Sequence, residues 1–486
     1  MKEKKMAYDI EEMPPIKESI ILAFQHLFAM FGATILVPIL VNQAAGKEVL
    51  TIPVALVTSG IGTLIYILCT KGKSPVYLGS SFAFIIPVAA AYTKAGLNGA
   101  MTGIMAVGLI YVIVALIVKV IGKDWLDKLL PPVVIGPMIM IIGLGLAPSA
   151  ISSIGLADGT ALDWKVIVVA LVSFLVTALI MTRAKGFFKI IPFLIGIVIG
   201  YIVAVCLGMI DFKTVSEAHW FSLPKFKVMF IDYGLDFKAL ITIAPIALVT
   251  LCEHIGDHTS LSNIIGRNLL KKPGLDRTLM GDGLATFVAG FLGGPANTTY
   301  GENTSVVGMT KVASVKVIGL AALFAIVIGF LGKFTSLVST IPNAVLGGVS
   351  LLLYGFIAVN GLKVLIKNQV NFEDPKNIIV ASSMYVLGLG GAAVSIVSGD
   401  LSLSISGMSL AAIVGVILNL ILKGEKEETV KVVKESLNSK NEIDKLKKDI
   451  KNELTVELKE NIISEIRKEM EKQTPKDRKK AKKWKL

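Results

Sequence analysis

Apolar runs of about twenty residues recur along this chain from residue 18 to residue 423, and no other feature constrains its fold so tightly. Twenty apolar residues in a helix span the hydrocarbon core of a bilayer. About fourteen such runs can be read, at 18–41, 51–70, 76–92, 98–120, 130–148, 164–183, 188–209, 237–258, 278–294, 298–312, 315–333, 341–359, 376–396 and 404–423. Lipid offers no hydrogen bonds to an open sheet edge, so the spans are expected to be helical. A chain of 486 residues that is 53% hydrophobic, with a mean hydropathy of +0.72, is excluded from the soluble globular class. The expected fold is an all-α polytopic membrane protein. The N-terminus is polar up to Ser19 and the first run is of spanning length, so no cleavable signal peptide is expected. Cys69, Cys206 and Cys252 fall in or beside apolar runs and suggest neither a disulfide nor a metal framework.

The net charge of +13 reports orientation before it reports nucleic-acid binding. With the N-terminus in the cytoplasm, Lys71, Lys73, Lys119, Lys123, Arg183, Lys185, Arg267, Lys271, Lys272, Lys311, Lys316, Lys363 and Lys367 fall on the inner side. The opposite loops Pro148–Asp163 and Gly391–Ser402 carry no Lys or Arg. The loop Ile210–Lys238, with several lysines, fits least well. The alternation implies an even number of spans and both termini inside the cytoplasmic membrane. Beyond Gly424 the chain turns Lys- and Glu-rich, with apolar residues every fourth position from Leu446 to Met470, a spacing that favours an amphipathic helix. Pro475 ends it, and a basic end with Trp484 follows. This tail reads as a solvated segment whose last residues suit anionic inner-leaflet lipid.

The stretch Leu248–His258 places Glu253, His254, Asp257 and His258 inside an apolar run. An ionisable residue at the centre of a spanning helix costs roughly 2.5–3.5 kcal/mol, so four in one helix point to use. Glu253 and Asp257 share one helical face, and His254 and His258 form a second pair four residues apart. Two such histidines lack the further ligands a zinc site needs, and polar contacts within the bundle are the preferred reading. A second acid, Glu302, lies in NTTYGENTS. Runs three and ten, seven apart, carry small and polar residues at their centres, around Tyr77–Ser81 and Asn297–Ser305. Interrupted segments at matching places in two halves indicate an inverted repeat and a binding site near the midplane. Ionised Glu253 and Glu302 accept from ring N–H donors, and free backbone amides of the interrupted segments serve carbonyls. Intramembrane acids also serve as proton relays. A membrane hydrolase would need a nucleophile motif such as GxSxG, which is missing, and a channel would need a continuous polar pore.

These residues carry a resemblance. FQHLFAMFGATILVPIL at Phe24–Leu40, KGKSPVYLGSSFAFIIP at Lys71–Pro87, CEHIG at Cys252–Gly256, NTTYGEN at Asn297–Asn303 and GGVSLLLYG at Gly347–Gly355 resemble the nucleobase–ascorbate (nucleobase–cation symporter-2) family, in particular its uracil permeases. The match runs collinearly from about residue 15 to 424. The resemblance implies fourteen spans in two inverted seven-span repeats, with short strands in spans three and ten. It implies a core domain of 15–128 and 230–335, a gate domain of 129–229 and 336–424, and a cytoplasmic tail of 425–486. Glu253 matches the acid that binds base and couples protons, and Glu302 matches the second base-binding acid. Phe82 and Gly301 match backbone-amide donors, Ala33 and Tyr300 match pocket-lining positions, and Tyr354 matches a gate-side aromatic.

Two positions depart from the pattern. Asp257 stands where the uracil permeases usually carry the last His of EHxGH, and Ser305 replaces a Gly in ENTSVVGMTK. An acid donates a hydrogen bond only when protonated, so the proton network around Asp257 must differ. His258 points about 100° away around the helix and does not substitute. The reading is a proton-coupled symporter for uracil or a close pyrimidine, with Glu253 and Asp257 in the proton path. The alternative within the same fold is a purine or xanthine carrier. No cofactor, metal or nucleic acid is expected; lipid and proton are the other partners, and a homodimer is compatible.

Overall fold

The computed structural model describes residues 6–159, 161–398, 401–424, 460 and 464. The chain divides into two units, Met1–Leu422 and Lys423–Leu486. Of the second, Glu460 and Ser464 are helical. The rest of the amphipathic helix expected over Leu446–Met470, and the basic end, lie outside the described residues.

Among its described residues the first unit is built of helices with four short strands. In chain order the strands and the helices of ten or more residues are α1 (Ile16–Ala45), α2 (Ile52–Cys69), β1 (Leu78–Ser80), α3 (Ile85–Ile121), α4 (Pro132–Gly145), α5 (Trp164–Arg183), α6 (Pro192–Cys206), α7 (Ile246–Ile265) and α8 (Leu275–Phe291). There follow β2 (Asn297–Thr299), α9 (Gly301–Thr310), α10 (Val315–Gly329), α11 (Asn343–Lys367), α12 (Pro375–Leu389), β3 (Ala393–Ser398), β4 (Leu401–Ser406) and α13 (Gly407–Ile421). Proline opens α2, α4, α6 and α12, where its missing N–H costs nothing. Asp163 and Asp374 cap α5 and α12 by accepting from Lys165 N and Lys376 N, each at 2.9 Å.

Six helical stretches among the described residues are long and apolar enough to cross a membrane: Ile16–Ala45, Ile52–Cys69, Phe82–Ile121, Pro132–Ser153, Trp164–Arg183 and Asn343–Lys367. The shorter apolar helices α6, α10 and α13 have 15 residues each, about 22 Å of rise. Runs three and four emerge as one helix, α3, broken at Ala95 and Gly96, where the backbone leaves helical geometry and Gly96 takes φ +61°. The chain therefore turns at that point between two helical halves.

Packing sorts most helices into two sets. In one, α8 lies against α3 and α2, α10 against α2 and α1, and α1 against α3. In the other, α11 lies against α4, α5 and α6, and α12 against α13 and α4. Small residues allow the closest crossings. A Cβ on Gly108 of α3 would sit 2.6 Å from Gly283 O of α8, and one on Gly283 would sit 2.7 Å from Gly108 O. Helix α7 touches α9 and β2 and also α4 and α13, so it bridges both sets.

One expected run needs correction. The thirteenth, expected to continue to residue 396, is helical only to Leu389. Residues Ala393–Ser398 instead pair antiparallel with Leu401–Ser406, with Ala393 opposite Ser406 and Ser398 opposite Leu401. The sequence LSLSIS alternates apolar residues with serine, the period of a strand, and AVSIVS supplies the β-branched Val and Ile that suit one. Mean hydropathy hides that period.

Candidate functional site

Two strands of three residues organise the site. β1 and β2 pair antiparallel with Leu78 opposite Thr299, Gly79 opposite Thr298 and Ser80 opposite Asn297, and all six residues are buried. Ser81 N donating to Ala296 O at 2.9 Å and Tyr300 N donating to Tyr77 O at 3.1 Å extend the ladder at each end. Each strand runs straight into a helix start: a short turn at Phe82–Phe84 leading to α3, and α9 at Gly301. The first amides of a helix have no partner within it, and the helix dipole adds partial positive charge there. Phe82 and Gly301 therefore stand at two amide-rich ends brought together by one ladder.

Tyr300 fixes this junction to α1. Its hydroxyl donates to Ser80 O at 2.9 Å and accepts from Thr34 Oγ1 at 3.1 Å. Its ring lies over β1 so closely that a Cβ on Gly79 would come within 2.5 Å of it. Asn303 Nδ2, one turn into α9, donates to His26 O of α1 at 2.9 Å.

The acids of α7 face β2. Thr298 Oγ1 donates to Glu253 Oε2 at 3.3 Å, and Thr299 Oγ1 donates to Asp257 Oδ2 at 2.5 Å. The other Asp257 oxygen lies 3.8 Å from where a Gly301 Cβ would be. Glu253, Asp257 and Glu302 are close enough for their charges to interact. As whole residues, Glu253, Asp257 and Glu302 are intermediate in burial.

Glu302 and Ala33 line one cleft together with Phe28, Ala29, Gly32 and Leu36 of α1. Ile191, Phe193, Leu194 and Leu353, from the other set of helices, form its far wall. The cleft has about 10 Å³, room for about one water. Glu253 and Asp257 are not in its lining, nor are Phe82, Tyr300 and Tyr354. Phe82 and Tyr354 instead meet ring edge to face, with centroids 6.3 Å apart. Tyr354 is buried in α11. The structure thus groups Glu302 with Ala33, Glu253 with Asp257 on β2, and Phe82 with Tyr354, around one ladder.

His254 and His258 stack with centroids 4.1 Å apart, and hydrogen bonds occupy all four ring nitrogens. His254 meets Asp282 Oδ2 at 2.7 Å and Thr278 Oγ1 at 3.0 Å, both on α8. His258 meets the Tyr66 hydroxyl at 2.6 Å and His254 O at 2.7 Å. This buried network holds α7 against α2 and α8, in line with polar contacts inside the bundle. Sequence reasoning singled out neither the hydroxyls of Thr298 and Thr299 nor Asp282. The signal for the threonines was their place in NTT, one strand ahead of Glu302.

The Permease family model matches residues 17–397. The uracil permease of Bacillus subtilis (strain 168) is 46% identical over 434 residues, 88% of this chain and 98% of that protein. The uracil permease of Escherichia coli (strain K12) is 42% identical over 421 residues, 86% of this chain and 94% of that protein. Among solved structures, the transmembrane domain of the cyanobacterial bicarbonate transporter BicA aligns with a TM-score of 0.56 at 15% identity, covering 84% of this chain and 98% of that one. Murine Slc26a9, an anion transporter in its inward-facing state, aligns with a TM-score of 0.60 at 13% identity, covering 88% and 70%. At such identities the likeness is one of fold, a membrane-transporter fold.

Proposed function

The chain belongs to this permease family and is a multi-pass membrane transporter, not an enzyme; on that premise we propose that it imports uracil by proton symport and alternating access. The observation that carries the proposal is the β1–β2 ladder, which holds acids from α7 and α9 beside two helix starts. Uracil presents ring N–H donors and carbonyl acceptors. Glu253 and Glu302 accept from the ring, and the amides of Phe82 and Gly301 donate to the carbonyls. Glu253 exchanges the coupled proton, with Asp257 beside it in the proton path. Ala33, Tyr300 and Tyr354 shape the pocket.

A ring does not fit the room of one water. The wall formed by Ile191–Leu194 and Leu353 must therefore part from α1 before a base reaches Glu302. Relative rocking of the two helix sets supplies that movement. We assign α1–α3 and α7–α10 to the core domain and α4–α6 and α11–α13 to the gate, in a cytoplasmic membrane with both termini inside. Asp257 favours a second reading, a xanthine or other purine carrier. It accepts from Thr299, where an imidazole would offer a donor to the ligand.

The test is uptake of labelled uracil into proteoliposomes under an imposed pH gradient, with xanthine and uric acid as competitors. Saturable, gradient-driven uptake suppressed by unlabelled uracil alone supports the proposal. Suppression by xanthine at lower concentration than by uracil selects the purine reading, and flux linear in concentration indicates a channel.

A further inference from the structure

We propose that the N-terminal segment Met6–Ile10 is a positioning strap that sets the Glu302 helix relative to the Glu253 helix. The inference rests on the transport reading above. Helix α9 has ten residues, about 15 Å, with Glu302 in its first turn. A helix so short is aimed by whatever grips its ends. The β1–β2 ladder grips the Glu302 end. The other end stops at Lys311, which takes φ +58°, a conformation that non-glycine residues seldom adopt.

The strap holds that end. Ala7 N donates to Lys311 O at 2.8 Å, and the strap runs parallel to the chain at a Tyr8–Val312 bridge. Ala313 N donates to Tyr8 O at 2.9 Å, and Val315 N, at the start of α10, donates to Ile10 O at 3.0 Å. Asp9 pairs with Arg267, immediately after the left-handed cap Gly266 of the Glu253 helix. Met6 and Ile10 are buried in a cluster with Leu261 and Ile265 of α7, Val307 of α9, Tyr66 of α2 and Leu78 of β1. One segment thus bonds the chain that follows α9, pairs with the residue after the cap of α7, and shares a buried cluster with both helices.

The lever arm gives the consequence. Tilting a 15 Å helix by about 5° moves its far end by about 1.3 Å, a displacement of the size that disrupts a positioned site. The Asp9–Arg267 pair is half exposed and contributes little to global stability. Its loss should therefore register in substrate affinity before it registers in folding.

The test compares full-length wild type, Asp9→Arg, Arg267→Asp, the double swap and Ile10→Ser in proteoliposomes. Uracil uptake gives KM and maximal rate, and hydrogen exchange is followed at the amides of residues 303–310. Each single charge reversal should raise KM about three- to fivefold with little change in maximal rate, and the double swap should restore it. Ile10→Ser should speed exchange across α9. If it fails to insert, the charge-reversal arm decides alone. Unchanged KM in both single reversals, or no recovery in the double swap, overturns the strap. If wild type carries no uracil, the transport reading fails instead, and exchange at α9 in the charge variants still decides the strap.

Discussion

Thr298 and Thr299 direct their hydroxyl protons to two acids one helical turn apart, so the charge state of that face depends on very few atoms. Glu253→Gln keeps the shape of the side chain and removes its charge. Gradient-driven uracil uptake should then fall to the level of empty vesicles, while equilibrium binding weakens about tenfold, the loss of one charge-assisted contact. Undiminished gradient-driven uptake would take Glu253 out of the coupling role. Thr299→Val removes the donor to Asp257 without changing side-chain size. KM for uracil should rise about tenfold, in keeping with a hydrogen bond to a charged group. An unchanged KM would leave Thr299 with only a structural part.

At the scale of elements, the junction of β1, β2 and α9 tolerates little. Gly79→Ala would drive a Cβ into the Tyr300 ring, so thermal unfolding should shift downward by the equivalent of roughly 1–3 kcal/mol. A melting temperature equal to wild type would mean the ring moves aside freely. The helices themselves were legible in the sequence, because a run of twenty apolar residues admits few structures in lipid. Trp164–Arg183 coincides with the run read at 164–183, and the stretches marked as irregular contain β1 and β2. The β3–β4 hairpin was less visible because AVSIVS, rich in Val and Ile, closes a run whose average still looks membranous, and the alternating LSLSIS straddles the start of the next. The acids were legible as misfits, charges in apolar surroundings. Their partners were not, since a threonine in a strand gives no local sign that its hydroxyl reaches a carboxylate more than forty residues away.

For the whole molecule the account requires the two helix sets to separate and close again. Gly32 of α1 and Phe193 of α6 sit across the cleft, and a Cβ built on Gly32 lies 4.0 Å from the Phe193 Cβ. That spacing is within the range of a disulfide. Gly32→Cys with Phe193→Cys should therefore lock the cleft under oxidation, abolish uracil uptake, and recover it on reduction. Each single cysteine variant should stay active whatever the redox state. Uptake by the fully oxidised double variant would show that the cleft need not open.

Positions of Glu253 and Glu302 in a uracil-bound structure test the central claim most directly. The account predicts both carboxylates within about 3.2 Å of one bound ring, held from α7 on one side and α9 on the other. A base seated on only one of these acids, or bound away from the β1–β2 ladder altogether, would contradict it.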